Sequence, residues 1–214
     1  MTNDYLKKIK DAVVKGRHNE IEDLVREAVK CGINVDTIIN EALIAAMDVV
    51  GHMFGQGQIY VPEMLVSAMT MKKGLEVIKP LLKGKETKPK GTILMGTVKG
   101  DLHDIGKNLV IMMLEGAGFS VIDLGVDLDV EKVVEEVERI KPDVLGLSAL
   151  LTTTMPEMKK VIDALEAKGL RDTVKVMVGG APVDAKFAEK IGADGYGKDA
   201  AEAVQLAKKF TERV

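Results

Sequence analysis

The clearest candidates for chemistry are Asp101 and His103, which stand two positions apart near the middle of the chain and are followed by Gly106. One ring nitrogen of a histidine can bind a metal while the other donates a hydrogen bond to a nearby carboxylate, which fixes the tautomer and makes the ligand more basic. A glycine three positions later lets the backbone pass close to a bulky group. This spacing predicts a metal or cofactor site in which His103 is the ligand and Asp101 orients it.

The segments on either side predict where this site lies in the fold. The apolar run 92–98 indicates a buried parallel strand. The run 109–115 indicates a helix that ends at one of the glycines that follow it. The Asp101–His103 pair should therefore lie on a loop at the carboxyl end of a strand, where open α/β sheets bind ligands.

Beyond this site, apolar strands alternate with amphipathic helices, which predicts an α/β fold with a doubly wound (Rossmann or flavodoxin-like) parallel sheet. Three later strand-end loops carry small or hydroxyl-bearing residues and should share an edge of the sheet with His103. Small residues leave space for a long group, and the hydroxyls of Ser148 and Thr152 can bind its polar atoms. The predicted strands are 92–98, 120–123, 144–148, 174–178 and 195–196, and the predicted helices are 109–115, 129–140, 156–169, 184–191 and 200–211.

The N-terminal part of the chain shows helical periodicity only. Four amphipathic segments joined by short connections predict an antiparallel four-helix bundle. Glycines end the first two helices, Asn34 or Asp36 can cap the third, and Pro62 suits the first turn of the fourth. We expect the third helix to break at the glycine-rich run 51–58.

The segment 85–90 is polar, charged and interrupted by Pro89, which is typical of an interdomain linker. It divides the chain into a predicted helical domain, residues 1–84, and a predicted α/β domain, residues 91–214. The same linker is the expected hinge for a movement between these two domains.

Composition argues against several classes of protein. A net charge of −3 provides no general basic field for nucleic acid. The single cysteine, Cys31, excludes an internal disulfide and a cysteine-based zinc site. We expect no apolar run of membrane-spanning length and no signal peptide, and therefore a cytoplasmic protein with neither nucleic-acid nor membrane partners.

The motif Asp101-x-His103-x-x-Gly106 resembles the cobalamin-binding signature of methionine synthase, the corrinoid mutases and the corrinoid methyl-carrier proteins. In that family the histidine replaces the benzimidazole of the cofactor as the lower axial ligand of cobalt. The resemblance implies that the cofactor is cobalamin (methylcobalamin or a related corrinoid), with His103 on cobalt and a relay of Asp101 and Thr154 behind it. The further contacts implied in this loop are Gly100, Leu102 and Asp104.

The later strand-end loops extend the resemblance to the nucleotide tail of the cofactor. Ser148, Leu150 and Thr152 match the family pattern Ser-x-Leu-x-Thr, where the displaced tail is inserted and held. The pair Gly179-Gly180 resembles the glycines that let the tail approach the backbone, and Ala200 falls where the family has a small residue near the nucleotide. Thr154 stands at a hydroxyl position that bonds the motif aspartate, with threonine in place of serine.

The bundle carries a second resemblance. The run Phe54-x-x-Gly57-x-x-Tyr60-Val61-Pro62-Glu63-Met64 is similar to the cap of methionine synthase and related methyl carriers, in which a four-helix bundle covers the upper face of the corrin. It implies that Phe54, Val61 and Met64 shield the bond between cobalt and its methyl group. Periodicity alone fits the other interpretation equally, in which these three side chains are ordinary bundle core.

The whole chain is most similar to the small corrinoid proteins of methanol, methylamine and aryl-ether O-demethylase methyltransferase systems. This implies a carrier subunit of a methyltransferase system rather than an autonomous enzyme, since no segment remains for a barrel that binds the methyl donor. The implied partners are a substrate:corrinoid methyltransferase, a methylcorrinoid:acceptor methyltransferase that uses tetrahydrofolate or a thiol, and a reductive activator.

Three alternatives stay open. A cobalamin-binding sensor uses a similar cap, but it normally needs an output domain, and none is apparent. The small subunit of a cobalamin-dependent mutase shares the Asp-x-His-x-x-Gly motif, but the run from Phe54 to Met64 argues against it. A phosphate-binding doubly wound domain is the plainest alternative, although both glycine-rich phosphate motifs are absent at the first strand.

Overall fold

The computed structural model describes residues 2–82 and 89–212, so the linker predicted at 85–90 lies for the most part outside the described residues. The chain divides into two compact units. One is helical and comprises residues 1–88 with 116–118, and the other is an α/β unit that comprises residues 89–115 and 119–214.

The described part of the helical unit contains four helical rods, as its periodicity predicts. The first two are followed by Gly16 and Gly32, whose left-handed backbones (φ +64° and +78°) cost glycine little. The third is capped by Asn34, whose side chain accepts a hydrogen bond from the Asp36 N–H at 2.8 Å. The elements are α1 (Thr2–Val14), α2 (Ile21–Lys30), α3 (Val35–Thr37), a π-helix (Ile38–Ile44), α4 (Ala45–Gly55), α5 (Val61–Ile78) and a 3₁₀ helix (Lys79–Leu82).

The third rod runs without a break from α3 through the π-helix to the end of α4, so the predicted interruption at 51–58 is wrong in its position. Gly51 is buried inside the helix, where burial of the neighbouring Met47 and Val50 outweighs a glycine penalty of about 1 kcal/mol. By length and composition alone, the helical stretch Val35–Gly55 could cross a membrane, contrary to the expectation from the sequence. Buried core helices of soluble proteins have the same length and composition, and part of this stretch is buried.

The α/β unit alternates strands with helices: β1 (Thr92–Thr97), α6 (Ile105–Gly116), β2 (Ser120–Asp123), α7 (Val130–Ile140), β3 (Val144–Ser148), α8 (Met155–Ala167), a 3₁₀ helix (Arg171–Thr173), β4 (Lys175–Gly179), α9 (Ala185–Ile191), β5 (Gly195–Gly197) and α10 (Ala200–Thr211). The strands are parallel and ordered β2-β1-β3-β4-β5, which is the predicted doubly wound sheet.

This strand order fixes the place of the site. The chain turns to opposite sides of β1 on its way to β2 and β3, and ligands bind such sheets at the carboxyl edge beside this switch point. Thr97 of β1 pairs with Ser148 of β3, and Ser148 pairs with Gly179 of β4. The loops predicted to share one edge therefore do so.

Two element boundaries differ from the predicted ones and change the local description of the site. Helix α6 begins at Ile105, earlier than predicted, so Gly106 lies in the first turn of a helix rather than in a loop. Strand β4 extends through Gly179, because Gly179 continues the ladder by pairing with Gly197 of β5.

Candidate functional site

The site is built around the buried carboxylate of Asp101, which joins the loops after β1 and β3. Its Oδ1 atom accepts hydrogen bonds from the backbone N–H of His103 at 3.1 Å and from the ring Nδ1 of His103 at 2.7 Å. Its Oδ2 atom accepts from the N–H groups of Leu150 and Leu151, at 2.7 and 3.3 Å, and from the hydroxyl of Thr154 at 2.8 Å. The two side-chain bonds expected from the sequence, to His103 and to Thr154, are both present.

These donors decide the charge of Asp101. Burial acts to raise the pKa of the carboxyl, but the N–H of Leu150, the ring and backbone N–H of His103 and the hydroxyl of Thr154 together lower that pKa well below its usual range. Asp101 is therefore a carboxylate at neutral pH, and a carboxylate only accepts hydrogen bonds. It follows that the proton of the neutral His103 ring is on Nδ1 and that Nε2 carries a lone pair.

The side chain of His103 is half exposed, and its Nε2 atom is not used within the site. Its side chain is 52% exposed, whereas the side chain of Asp101 is 0% exposed. Within residues 2–82 and 89–212, no hydrogen-bond partner is found for Nε2. The backbone of the same residue is held from behind, because the hydroxyl of the buried Thr97 donates to the carbonyl of His103 at 3.0 Å. The ring is thus oriented by Asp101, and its Nε2 atom has no partner within the described residues.

Large apolar side chains are exposed in the two loops that Asp101 joins. Leu102 and Ile105 in the first loop are 71% and 83% exposed, and Leu150 and Leu151 in the loop after β3 are 43% and 41% exposed. Exposed apolar side chains brought together in this way mark a binding surface. Sequence reasoning missed Ile105 and Leu151, although two adjacent leucines in a strand-end loop were a usable signal.

The glycines of the site differ in whether the packing of the fold requires them. A Cβ placed on Gly106 meets no heavy atom within 4 Å, so the fold itself does not require glycine there. Gly180, by contrast, has φ +125°, and a Cβ on it would collide with the carbonyl oxygen of Ala149. A Cβ on Gly179 would lie 2.9 Å from the carbonyl oxygen of Gly197. Packing within the sheet already accounts for Gly179 and Gly180.

The other predicted contacts in the α/β unit differ in how available they are. The hydroxyls of Ser148 and Thr152 have no partner within the described part of the chain, so they remain available to a ligand. Asp104 holds the first turn of α6, since its carboxylate accepts from the side-chain amide of Asn108 at 3.0 Å. Ala200 is buried at the start of α10.

A buried charge beside the site was missed from the sequence. The side chain of Lys107 is almost fully buried and forms an ion pair with Asp123 at the end of β2. It also donates to the side-chain oxygen of Asn108 at 3.3 Å. Burial of an ammonium group requires such partners, and the pair fastens the first turn of α6 to β2.

The three bundle residues implicated by resemblance lie at the end of α4 and the start of α5. Met64 is completely buried, Phe54 is partly buried, and Val61 is 38% exposed. Met64 thus has the burial of a core residue. Their implied shielding role stays a prediction.

Comparison with known proteins gives consistent findings along the chain. Two B12-binding domain families match, one over residues 91–205 and the other over residues 5–79. The trimethylamine corrinoid protein of Methanosarcina barkeri is 42% identical over 96% of this chain and 95% of its own length. The methanol:cobalamin methyltransferase complex MtaBC of the same species contains a chain that superposes with a TM-score of 0.87 at 32% identity, covering 99% of this chain and 81% of that one. A cobalamin-binding protein of Desulfitobacterium hafniense superposes with a TM-score of 0.81 at 32% identity, over 96% and 98% of the two chains.

Proposed function

Because the chain belongs to the B12-binding corrinoid protein family, we propose that it carries a methyl group on cobalamin between two methyltransferases, with His103 as the lower ligand of cobalt. The observation that carries this proposal is the oriented ring of His103, whose Nδ1 is held by Asp101 at 2.7 Å and whose Nε2 is free within the described chain. A neutral imidazole with that tautomer is a ready metal ligand.

The residues present fit a corrinoid. Open space at Gly106 leaves room for a broad, flat ring against the first turn of α6. The exposed side chains of Leu102, Ile105 and Leu150 offer apolar surface for the edges of such a ring. The unpartnered hydroxyl of Ser148 stands at the strand edge where the nucleotide tail of the family is held.

When bound, cobalamin supplies a cobalt ion that can accept and release a methyl group. The chain supplies the orientation and the proton balance of the ligand. Asp101 keeps the proton on Nδ1 of His103, and Thr154 shares the charge of the same carboxylate through its hydroxyl at 2.8 Å. When a ligand on Nε2 withdraws more or less electron density from the ring, the proton that Nδ1 shares with Asp101 is held correspondingly less or more tightly by Nδ1.

The partners follow from the family. The complex of methanol:cobalamin methyltransferase supports a substrate-specific methyltransferase as the donor-side partner. The trimethylamine corrinoid relative supports a methylamine as one class of methyl donor. An acceptor-side methyltransferase and a reductive activator complete the proposal, and they rest on resemblance alone, as does a cytoplasmic location.

Electron paramagnetic resonance of the protein reconstituted with cob(II)alamin tests the ligand. We expect nitrogen splitting that disappears in His103→Ala and persists in the matched control His18→Ala, a histidine of the helical unit. Wild-type splitting that does not change when histidine is labelled with 15N would mean that benzimidazole stays on cobalt and would refute the role of His103. Absence of cobalamin binding to the wild-type protein would refute the proposal as a whole.

Methyl transfer is tested with purified methylamine and methanol methyltransferases as donors, following the absorbance change of the bound cofactor. Transfer from either supports the carrier function. Photolabile alkylcobalamin binding without transfer would instead favour a sensor, and a requirement for adenosylcobalamin would favour a mutase subunit.

The shielding role of Phe54, Val61 and Met64 is tested by the rate at which oxygen oxidises the reduced bound cofactor. Phe54→Ala should raise this rate if the side chain excludes water and oxygen. An unchanged rate in all three alanine variants would leave them as ordinary parts of the bundle.

A further inference from the structure

Asp127, in the loop after β2, makes a reciprocal pair of bonds to the backbone that leads into the site. Its own N–H donates to the carbonyl oxygen of Asp101 at 3.0 Å. Its carboxylate Oδ1 accepts from the N–H of Gly100 at 2.8 Å. One residue therefore fixes two consecutive residues of the loop that carries His103, and it does so from a different strand connection.

The backbone of Asp127 is strained in a way that points to a purpose. Its φ of +53° lies in the left-handed region, which costs a residue with a side chain free energy, although aspartate tolerates it better than most. Among the described residues, the other such case is Lys141, which closes α7 at a C-cap where this conformation is common. Asp127 has no helix end to explain it, and such strain persists where surrounding bonds over-determine the conformation.

Charge plays the smaller part in this arrangement. Lys99 lies 3.4 Å from Asp127 and 3.1 Å from Asp129, and all three side chains are substantially exposed. Exposed ion pairs contribute little to stability, whereas a directional bond from a backbone N–H fixes geometry. The N–H of Gly100 is also the largest influence on the pKa of Asp127, which lies below its usual range.

The segment around Asp127 is fastened along the end of β1. The N–H of Thr97 donates to the carbonyl of Gly125 at 3.0 Å, and the N–H of Leu128 donates to the carbonyl of Thr97 at 3.2 Å. The loop is thus anchored on both sides of Asp127 before it reaches across to Gly100 and Asp101. The carboxylate of Asp123 adds a side-chain anchor, since it accepts a hydrogen bond from the N–H of Gly125 at 2.9 Å.

We propose that Asp127 is a positioning residue that sets the Gly100–Asp101 backbone so that the Asp101 carboxylate meets the ring of His103. The bond path runs from Asp127 to the Gly100 N–H and the Asp101 carbonyl, and then through the Asp101 side chain to Nδ1. The inference rests on the proposed function only for what His103 binds; the backbone clamp exists without a ligand.

Three variants separate the effects of the acceptor oxygen of Asp127 from those of its charge. Asp127→Gly keeps the backbone N–H and accepts the left-handed conformation, but it deletes the acceptor for Gly100. Asp127→Asn keeps an acceptor oxygen and tolerates the conformation while it removes the charge. Asp129→Asn is the matched control, because Asp129 shares the side chain of Lys99 but makes no hydrogen bond to Gly100 or Asp101 within the described residues.

The first measurement is hydrogen exchange of the Gly100 amide in the ligand-free protein. We expect roughly tenfold faster exchange in Asp127→Gly, the factor expected for loss of about one hydrogen bond to a charged acceptor, and rates near wild type in Asp127→Asn and Asp129→Asn. Unchanged exchange in Asp127→Gly would overturn the proposal. Equal effects of Asp127→Asn and Asp127→Gly would also overturn it, because charge rather than geometry would then be responsible.

The second measurement is the cob(II)alamin resonance of the same variants. Asp127→Gly should show a reduced fraction of histidine-derived nitrogen splitting and roughly tenfold weaker binding, and Asp127→Asn should restore both. Full splitting and wild-type affinity in Asp127→Gly would contradict the positioning role. If the wild-type protein shows no histidine splitting, the proposed function fails by itself, and amide exchange alone decides whether the clamp exists.

Discussion

Gly106→Ala separates what the fold needs from what a ligand needs. The residue lies in the first turn of α6 with a backbone outside the left-handed region, and a Cβ there meets no heavy atom within 4 Å. Alanine is the better helix former, and it reduces the conformational entropy of the unfolded chain. The free energy of unfolding should therefore rise by about 0.5 kcal/mol. The same methyl group would intrude on a ring packed against this turn. Overpacking of about 1–3 kcal/mol predicts cob(II)alamin binding that is roughly 5- to 150-fold weaker.

The assay pairs urea unfolding of the ligand-free protein with titration of cob(II)alamin followed by absorbance. Gly180→Ala is the control for the opposite case, since its φ of +125° and the collision with Ala149 predict a large loss of stability without any ligand. Unchanged affinity in Gly106→Ala would show that no ligand approaches this turn. A loss of stability in that variant would show that the space is not open. Either result would refute the reasoning.

Three further predictions follow from single contacts. Asn34→Ala removes the acceptor for the Asp36 N–H and should cost about 1 kcal/mol in thermal unfolding, while Asn34→Asp should retain most of it. Asp101→Asn should lose at least about 2 kcal/mol at pH 7, because the amide nitrogen cannot accept the bonds of one carboxylate oxygen. Because folding lowers the pKa of Asp101, the stabilisation by its carboxylate is present above the ordinary pKa of 3.8 and is lost as the pH falls below that value. In urea unfolding, the difference in stability between the wild type and Asp101→Asn should therefore become smaller in acid. Thr154→Val leaves Oδ2 without its hydroxyl donor and should cost about 1–2 kcal/mol in urea unfolding, whereas Thr154→Ser should cost less.

The sequence predicts the order and type of the elements because their signals are local. Alternating apolar runs and amphipathic segments indicate a doubly wound sheet, and glycine, asparagine and proline mark the helix ends. The π-helix Ile38–Ile44 was not predictable, since its apolar side chains fit the spacing of an α-helix equally well. The break predicted at Gly51 was wrong for a related reason. A glycine lowers helix propensity locally, but burial of the neighbouring side chains keeps this segment helical.

The side-chain hydrogen bonds expected within the site are present, whereas its backbone donors and the buried side chain of Lys107 were not predicted. The bonds from Asp101 to His103 and Thr154 follow from residue type and spacing. The two N–H donors from the loop after β3 have no signature in the sequence, since every residue except proline has one. The left-handed backbone of Asp127 is not predictable from the sequence either, because aspartate occurs in loops for many reasons.

Asp101 and His103 lie in the same loop but differ in how firmly their side chains are held. Oδ1 of Asp101 accepts donors from its own loop and Oδ2 accepts donors from the loop after β3, so movement of this side chain would leave several donors unpaired. His103 is half exposed, and one ring nitrogen remains free of intramolecular bonds within the described chain. A ligand on Nε2 would therefore act on a ring whose Nδ1 proton is shared with a carboxylate that both loops hold in place.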